Sequence, residues 1–202
     1  MRDITVIEYM SLDGVIQAPG HASEDTDGGF AHGGWSNPFT PEHRRYISEA
    51  FQTAGAFLLG RRTYQIFAEH WPTVTDNDDE IAYALNTLPK YVVSTTLTNP
   101  QWAHTTIIKG DVVKELTALK GQPGRKIIVV GSSQLAHTLV QSRLVDQYQL
   151  WLHPVVLGAG KRLFTEETPM TALRLVDSKT TPTGLIILTY APAAPMDPPA
   201  QP

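Results

Sequence analysis

Cysteine is absent from this 202-residue chain, which excludes disulfides, thiolate metal sites and a cysteine nucleophile together. Redox chemistry would therefore need a borrowed cofactor. No apolar run approaches the ~20 residues of a membrane span. The N-terminal Met1-Arg2-Asp3 leads straight into an alternating apolar stretch, the wrong layout for a signal peptide. A cytoplasmic location and no membrane partner are the expectations. Basic runs are missing too: the formal net charge is -4, and no stripe of Lys and Arg could follow a phosphate backbone. Nucleic-acid binding is not expected. His21, His32 and His43 match no standard metal-ligand spacing, so no metal site is expected.

What is present suits one globular domain. Hydrophobic residues make up 42% of the chain, enough for a real core, and single cores usually split only above about 250 residues. The domain is expected over residues 1–190. Residues 191–202, rich in proline and alanine, read as a frayed tail.

Strands and helices alternate along the chain. Ile4 to Met10 reads as a central strand, followed by the loop Ser11-Leu12-Asp13-Gly14. The glycine-, Asp- and His-rich stretch from Pro19 to Asn37 lacks periodicity, and a loop of that length is expected to lie over a binding site. Thr40-Pro41-Glu42 is a helix start, with Thr40 as N-cap and Ile47, Ala50, Phe51 and Ala54 as the apolar face. Further helices are expected from Thr63 to Glu69, Asp79 to Leu88 (capped by Asp76 or Asp78), Asp111 to Leu119 and Ser133 to Gln141. Strands are expected from Ala56, at Lys90–Ser94, Thr105–Ile108, Ile127–Val130 and Gln147–Leu152, with a hairpin of Ala172–Lys179 and Leu185–Tyr190. The pattern predicts an α/β fold, its central sheet mostly parallel and flanked by helices, with an antiparallel C-terminal hairpin.

Two strands end in a small polar turn that opens a helix: Ala56-Phe57-Leu58-Leu59-Gly60-Arg61-Arg62-Thr63-Tyr64 and Lys126-Ile127-Ile128-Val129-Val130-Gly131-Ser132-Ser133-Gln134-Leu135. Unpaired N–H groups and the positive end of the helix dipole make such turns natural phosphate sites. Ser94-Thr95 also follows a strand. Ligands of parallel sheets sit beyond the carboxyl ends of strands, where all three turns fall.

These segments, together with Ser11-Leu12-Asp13-Gly14 and Pro154-Val155-Val156-Leu157-Gly158-Ala159-Gly160-Lys161-Arg162-Leu163-Phe164, resemble the dihydrofolate-reductase-like superfamily. The likeness is closer to its branch around the reductase domain of the bifunctional riboflavin-biosynthesis deaminase-reductase. It runs in order from about Ile4 to Tyr190. The resemblance implies a single dihydrofolate-reductase-like domain and an NADPH-dependent reductase acting on a small heterocyclic or carbonyl substrate. The closest named activity is reduction of a ribosylamino-pyrimidine phosphate. It implies that Gly60, Arg61, Arg62 and Thr63 meet the pyrophosphate and 2′-phosphate, Arg61 by charge and Thr63 by hydroxyl and helix-start N–H. Ser94 and Thr95 match positions at the adenosine ribose phosphate. Gly131, Ser132, Ser133, Gln134 and Leu135 would pass beneath the diphosphate and nicotinamide ribose. A guanidinium fork and several hydroxyls suit a phosphate monoester, which favours NADPH over NADH. The family often has two adjacent glycines where this chain has Gly131-Ser132, a departure that restricts backbone torsions and narrows the space for a diphosphate. A non-catalytic NADPH-binding or sensing module is the alternative this departure favours.

The substrate side offers four candidates. Asp13 lies in a loop that would pass near the nicotinamide, where it could orient a substrate amide or relay a proton; Asp-Gly is equally a turn-forming pair. Trp35, in the long loop, could stack on a flat heterocycle. Glu42 is the carboxylate nearest the place where true dihydrofolate reductases grip the pterin, and folate reduction is a further alternative; an acid there also favours the helix dipole. Lys161, after Gly158-Ala159-Gly160, could reach a substrate phosphate or simply face solvent. The apolar stretch Trp151–Leu157 is read as a segment close to a sheet edge, whose exposure would support a homodimer.

Overall fold

The computed structural model describes residues 1–76 and 79–194. Its strands are β1 (Ile4–Ser11), β2 (Ala54–Gly60), β3 (Lys90–Val93), β4 (Thr105–Ile108), β5 (Lys126–Val130), β6 (Gln147–His153), β7 (Leu173–Thr180) and β8 (Ile186–Pro192). Its helices are α1 (Thr40–Phe51), α2 (Arg61–His70), α3 (Glu80–Thr87), α4 (Val112–Gly121) and α5 (Ser133–Gln141). The strands form one eight-stranded sheet in the order β4-β3-β2-β5-β1-β6-β8-β7. Pairing is parallel from β4 to β6 and antiparallel at β6–β8 and β8–β7. This is the α/β architecture expected from the alternation, with the antiparallel pair at the C-terminus.

Helices cover both faces of the parallel part, so its strands are apolar on both sides. Ile4 and Val6 of β1 pack in one cluster with Leu116 of α4 and Leu135 and Leu139 of α5. Ile7 faces the other way, into a cluster with Ile47 and Phe51 of α1, Leu85 of α3 and Trp151 of β6.

Element ends depart locally from the expectations. Thr40 is the first helical residue of α1 rather than its cap, because a 3-10 turn at Asn37–Phe39 already bends the chain, and its hydroxyl donates to the Asn37 carbonyl at 2.8 Å. Ala54 opens β2 and is not part of the face of α1. α2 starts at Arg61, two residues before Thr63. The cap of α3 is Asp79, whose carboxylate accepts from the N–H groups of Ile81 and Ala82; Asp78 lies outside the described residues. β8 runs on to Pro192, and residues 195–202 of the expected tail lie outside the described residues.

Lys90 is fully buried, donates to the carbonyls of Leu85 (2.7 Å) and Leu88 (2.9 Å) at the end of α3, and sits 4.5 Å from the Trp102 ring centre. Burial alone pushes its ammonium down to about 8. Truncation would leave two carbonyls unpaired and a cavity behind. Lys90→Ala is expected to cost about 3 kcal/mol in urea unfolding; a loss under about 1 kcal/mol would contradict this role for Lys90.

Candidate functional site

The strand order brings the two helix-opening turns together. β2 and β5 are parallel neighbours, so the N-termini of α2 and α5 emerge side by side at the carboxyl edge. Neither terminus carries a side-chain cap. Their first N–H groups are therefore left for an outside acceptor. Ser132 ties the turns to each other: its Oγ accepts from the Gly60 N–H and donates to Thr63 Oγ1, both at 2.9 Å. To do so it takes the left-handed conformation (φ 65, ψ 51) directly after Gly131 (φ 57). That conformation costs a side-chain-bearing residue roughly 1–2 kcal/mol, offset here by the two hydrogen bonds.

The turns open on a cavity of about 490 Å³, within the range of small-molecule and cofactor sites. Gly60, Arg61, Arg62 and Thr63, Ser94 and Thr95, and the whole run Gly131–Leu135 line it, and so does Lys161. Eleven residues proposed for the cofactor thus share one cavity. Arg61 contacts Gln65 of its own helix (2.8 Å) and lies on the exposed rim. Ser94 is buried, and its Oγ accepts from the N–H groups of Thr96 and Leu97.

Residues 19–37 form one wall of the same cavity through Pro19, Glu24 and Asp25. An ion-pair network holds this loop down. Arg62 reaches Asp25 (3.1 Å) and Asp27 (2.6 Å), and Lys161 reaches the same two carboxylates at 2.5 and 2.8 Å. The Arg62 and Lys161 contacts hold the Asp27 carboxyl well below the usual range. Gln17, nearly buried, adds bonds to the carbonyls of Asp25 and Asp27 and accepts from the Lys161 N–H. Arg62 and Lys161 are thus engaged by the loop.

Asp13, Trp35 and Glu42 are not among the residues lining the cavity. Asp13 clamps two loops together. It accepts from the Ser11 hydroxyl (2.7 Å) and from the N–H groups of Leu157 (3.1 Å) and Gly158 (2.7 Å), which pull its carboxyl down to about 2. Trp35 donates its indole N–H to the Gln17 carbonyl (2.8 Å) and packs edge-on to His153. Glu42 lies half-buried in the first turn of α1, the dipole-favoured position.

Behind the loop, Trp35, Phe39 and Tyr9 enclose a buried pair, His43 and His153, with Nε2 atoms 2.8 Å apart. His153 Nδ1 lies 2.7 Å from the Trp151 carbonyl and donates there. Burial lowers both imidazoles and so keeps them neutral, which leaves His153 Nε2 to accept from His43 Nε2–H. Burial, reinforced by His153, lowers His43 to about 4. Trp151 itself is fully buried and stacks on Tyr9 at 5.0 Å. The expected sheet edge at Trp151 is corrected: β8 and β7 lie outside β6, so Trp151 serves the core, while Val156 beyond the strand's end is largely exposed.

One cavity residue escaped the sequence reading. Glu8 of β1 is 2% exposed, its Oε1 has no hydrogen-bond partner among the described residues, and it lines the cavity. Burial, with the charge of Glu24 adding, pushes it up to about 8. Its signal was a break in alternation: Ile4, Val6 and Met10 pack on one face of β1, and Glu8 occupies the same row. Among the described residues, no group of three or more His, Asp or Glu could hold a metal ion, and no helix is long and apolar enough to cross a membrane.

Comparison with known proteins identifies the family and the fold. The family model described as the RibD C-terminal domain matches residues 2–187. The uncharacterized protein YyaP of Bacillus subtilis (strain 168) is 31% identical over 135 residues, 66% of this chain and 71% of the relative. Solved structures share the fold, two of them as follows. Dihydrofolate reductase from Enterococcus faecalis, complexed with NADP(H) and RAB-propyl, superposes with a TM-score of 0.60 at 13% identity, covering 95% of this chain and 97% of the other. The Thermotoga maritima diaminohydroxyphosphoribosylaminopyrimidine deaminase/5-amino-6-(5-phosphoribosylamino)uracil reductase gives 0.62 at 13% identity. Its match covers 95% of this chain and 57% of that one.

Proposed function

We propose that this chain, which belongs to the RibD C-terminal domain family, is a reductase that uses NADPH to reduce a small heterocyclic or carbonyl substrate. The observation that carries the reading is the pair of uncapped helix starts, α2 and α5, opening side by side into one cavity and joined by Ser132. Such N–H groups suit a diphosphate, and the Arg61 guanidinium with the hydroxyls of Thr63, Ser94 and Thr95 suits an added phosphate monoester. Bound there, the cofactor would supply a hydride.

The chain's own part is positioning and exclusion of water. The turns hold the phosphates, and the loop latched by Arg62 and Lys161 walls the far end. Reduction of a ribosylamino-pyrimidine phosphate, the activity for which the Thermotoga protein is named, is the model reaction. Folate reduction through Glu42 is disfavoured, because that carboxylate lies outside the cavity. A homodimer is the proposed assembly, and the edge strand β7, with Leu175 and Val176 about half exposed, is the face that would need covering.

Calorimetric titration with NADPH and NADH tests the cofactor. The expected result is binding in about the micromolar range that favours NADPH, with Arg61→Ala weakening NADPH on the order of tenfold and leaving NADH unchanged. Binding without turnover of any acceptor would favour the sensing module. No binding of either nucleotide would remove the cofactor assignment.

A further inference from the structure

We propose that Glu8 is the group from which the substrate draws its proton: an uncharged carboxylic acid at the cavity wall, donating to the oxygen or nitrogen of a C=O or C=N bond. This rests on the NADPH-reductase reading above. Glu8 sits mid-strand on β1, opposite Leu150 of β6, so the sheet fixes its backbone. The side chain is almost fully buried and lines the cavity, with Oε1 unpartnered among the described residues. A carboxylate in such a place, with no cation or N–H to receive it, takes a proton instead.

The charged groups facing the same cavity decide where that proton rests. Arg62 and Lys161 are engaged by Asp25 and Asp27, and Arg61 lies on the rim against Gln65. None of these cations forms an ion pair with Glu8 among the described residues. The remaining neighbour is Glu24, whose charge opposes ionisation of Glu8. Glu24 accepts from the N–H groups of Gly20 (2.8 Å) and His21 (3.2 Å), which favour its charged form. Burial raises Glu24 as well, yet Glu8 Oε1 has no such donor among the described residues. Of the two carboxyls, Glu8 keeps the proton.

The step balances simply. The substrate carbon gains the hydride, its oxygen or nitrogen gains the Glu8 proton, NADPH becomes NADP⁺, and Glu8 regains a proton from water. The substrate class follows: a polarised C=O or C=N bond with a heteroatom that can receive the Glu8 proton.

Carbon-13 NMR of the ligand-free chain, labelled at glutamate side-chain carboxyls, tests the acid without any turnover. One resonance, missing from Glu8→Gln, should titrate near 8, far above the ordinary glutamate value of about 4.3. Glu24→Gln should lower that midpoint. A Glu8 resonance titrating with the ordinary glutamates would overturn the proposal. Glu8→Gln should bind NADPH within about twofold of wild type while its kcat, with the ribosylamino-pyrimidine phosphate as acceptor, falls on the order of 100-fold. The wild-type decline in rate at alkaline pH should vanish in the variant. Turnover by Glu8→Gln equal to wild type would also overturn it, whereas a wild-type chain that binds no NADPH strikes the reductase reading instead.

Discussion

Gly60→Asp is expected to abolish NADPH binding, by on the order of 100-fold or more, while leaving the fold as stable as before or more so. Gly60 is the N-cap of α2, in extended backbone (φ -74, ψ 159) that any residue can adopt. A Cβ there would lie 3.4 Å from Ser132 Cβ, an ordinary contact. Aspartate is among the best N-caps, and its carboxylate would take the N–H groups that α2 leaves open, a gain of about 0.5–1 kcal/mol for the helix. The same carboxylate would stand where the diphosphate is proposed to lie, where two like charges repel and the donors are already used. Opposite signs in the two measurements separate a binding role from a folding role. If thermal stability holds and NADPH still binds as in wild type, the helix starts are not the phosphate site.

Acid should weaken the fold through His43, and the sign follows from burial. Its folded value is about 4, below the ordinary value of about 6.5. As pH falls below about 6.5 the unfolded chain takes up a proton that the folded one refuses until about 4. Stability from this group is therefore complete above that ordinary value and is lost through the window below it. Loss across the whole window is about 3 kcal/mol. Glu8 acts in the opposite direction, its folded value being raised, so the histidine contribution is read as a difference. His43→Gln, which keeps an N–H donor for His153, should gain urea-unfolding stability relative to wild type as the pH falls from about 7 to about 5. Identical slopes would mean that the pair ionises freely in the folded state.

The end of the cavity proposed for the cofactor was legible because local rules write it. Ala56–Thr63 and Lys126–Leu135 each join an apolar strand to a helix start, and a parallel sheet places such turns at one edge. Their adjacency was not legible, since it depends on β5 entering between β1 and β2. The far end was mostly hidden. Glu8 was passed over inside an apolar strand, although it breaks the row of Ile4, Val6 and Met10. Asp13 read as a turn residue or an acid, and its fate was decided by N–H groups at Leu157 and Gly158, 144 and 145 residues away. Trp151 misled for a similar reason, because the hairpin β7–β8 pairs beyond it and makes β6 an interior strand. Lys161 was singled out as a substrate candidate, but its partners Asp25 and Asp27 lie in the loop without periodicity.

The most direct measurement is a crystal structure of the chain grown with NADPH. The diphosphate should lie within hydrogen-bond distance of the N–H groups that open α2 and α5, with the 2′-phosphate beside Arg61 and the nicotinamide ring in the part of the cavity lined by Glu8. Density for the nucleotide elsewhere, or an empty cavity at saturating NADPH, would contradict the assignment of this site.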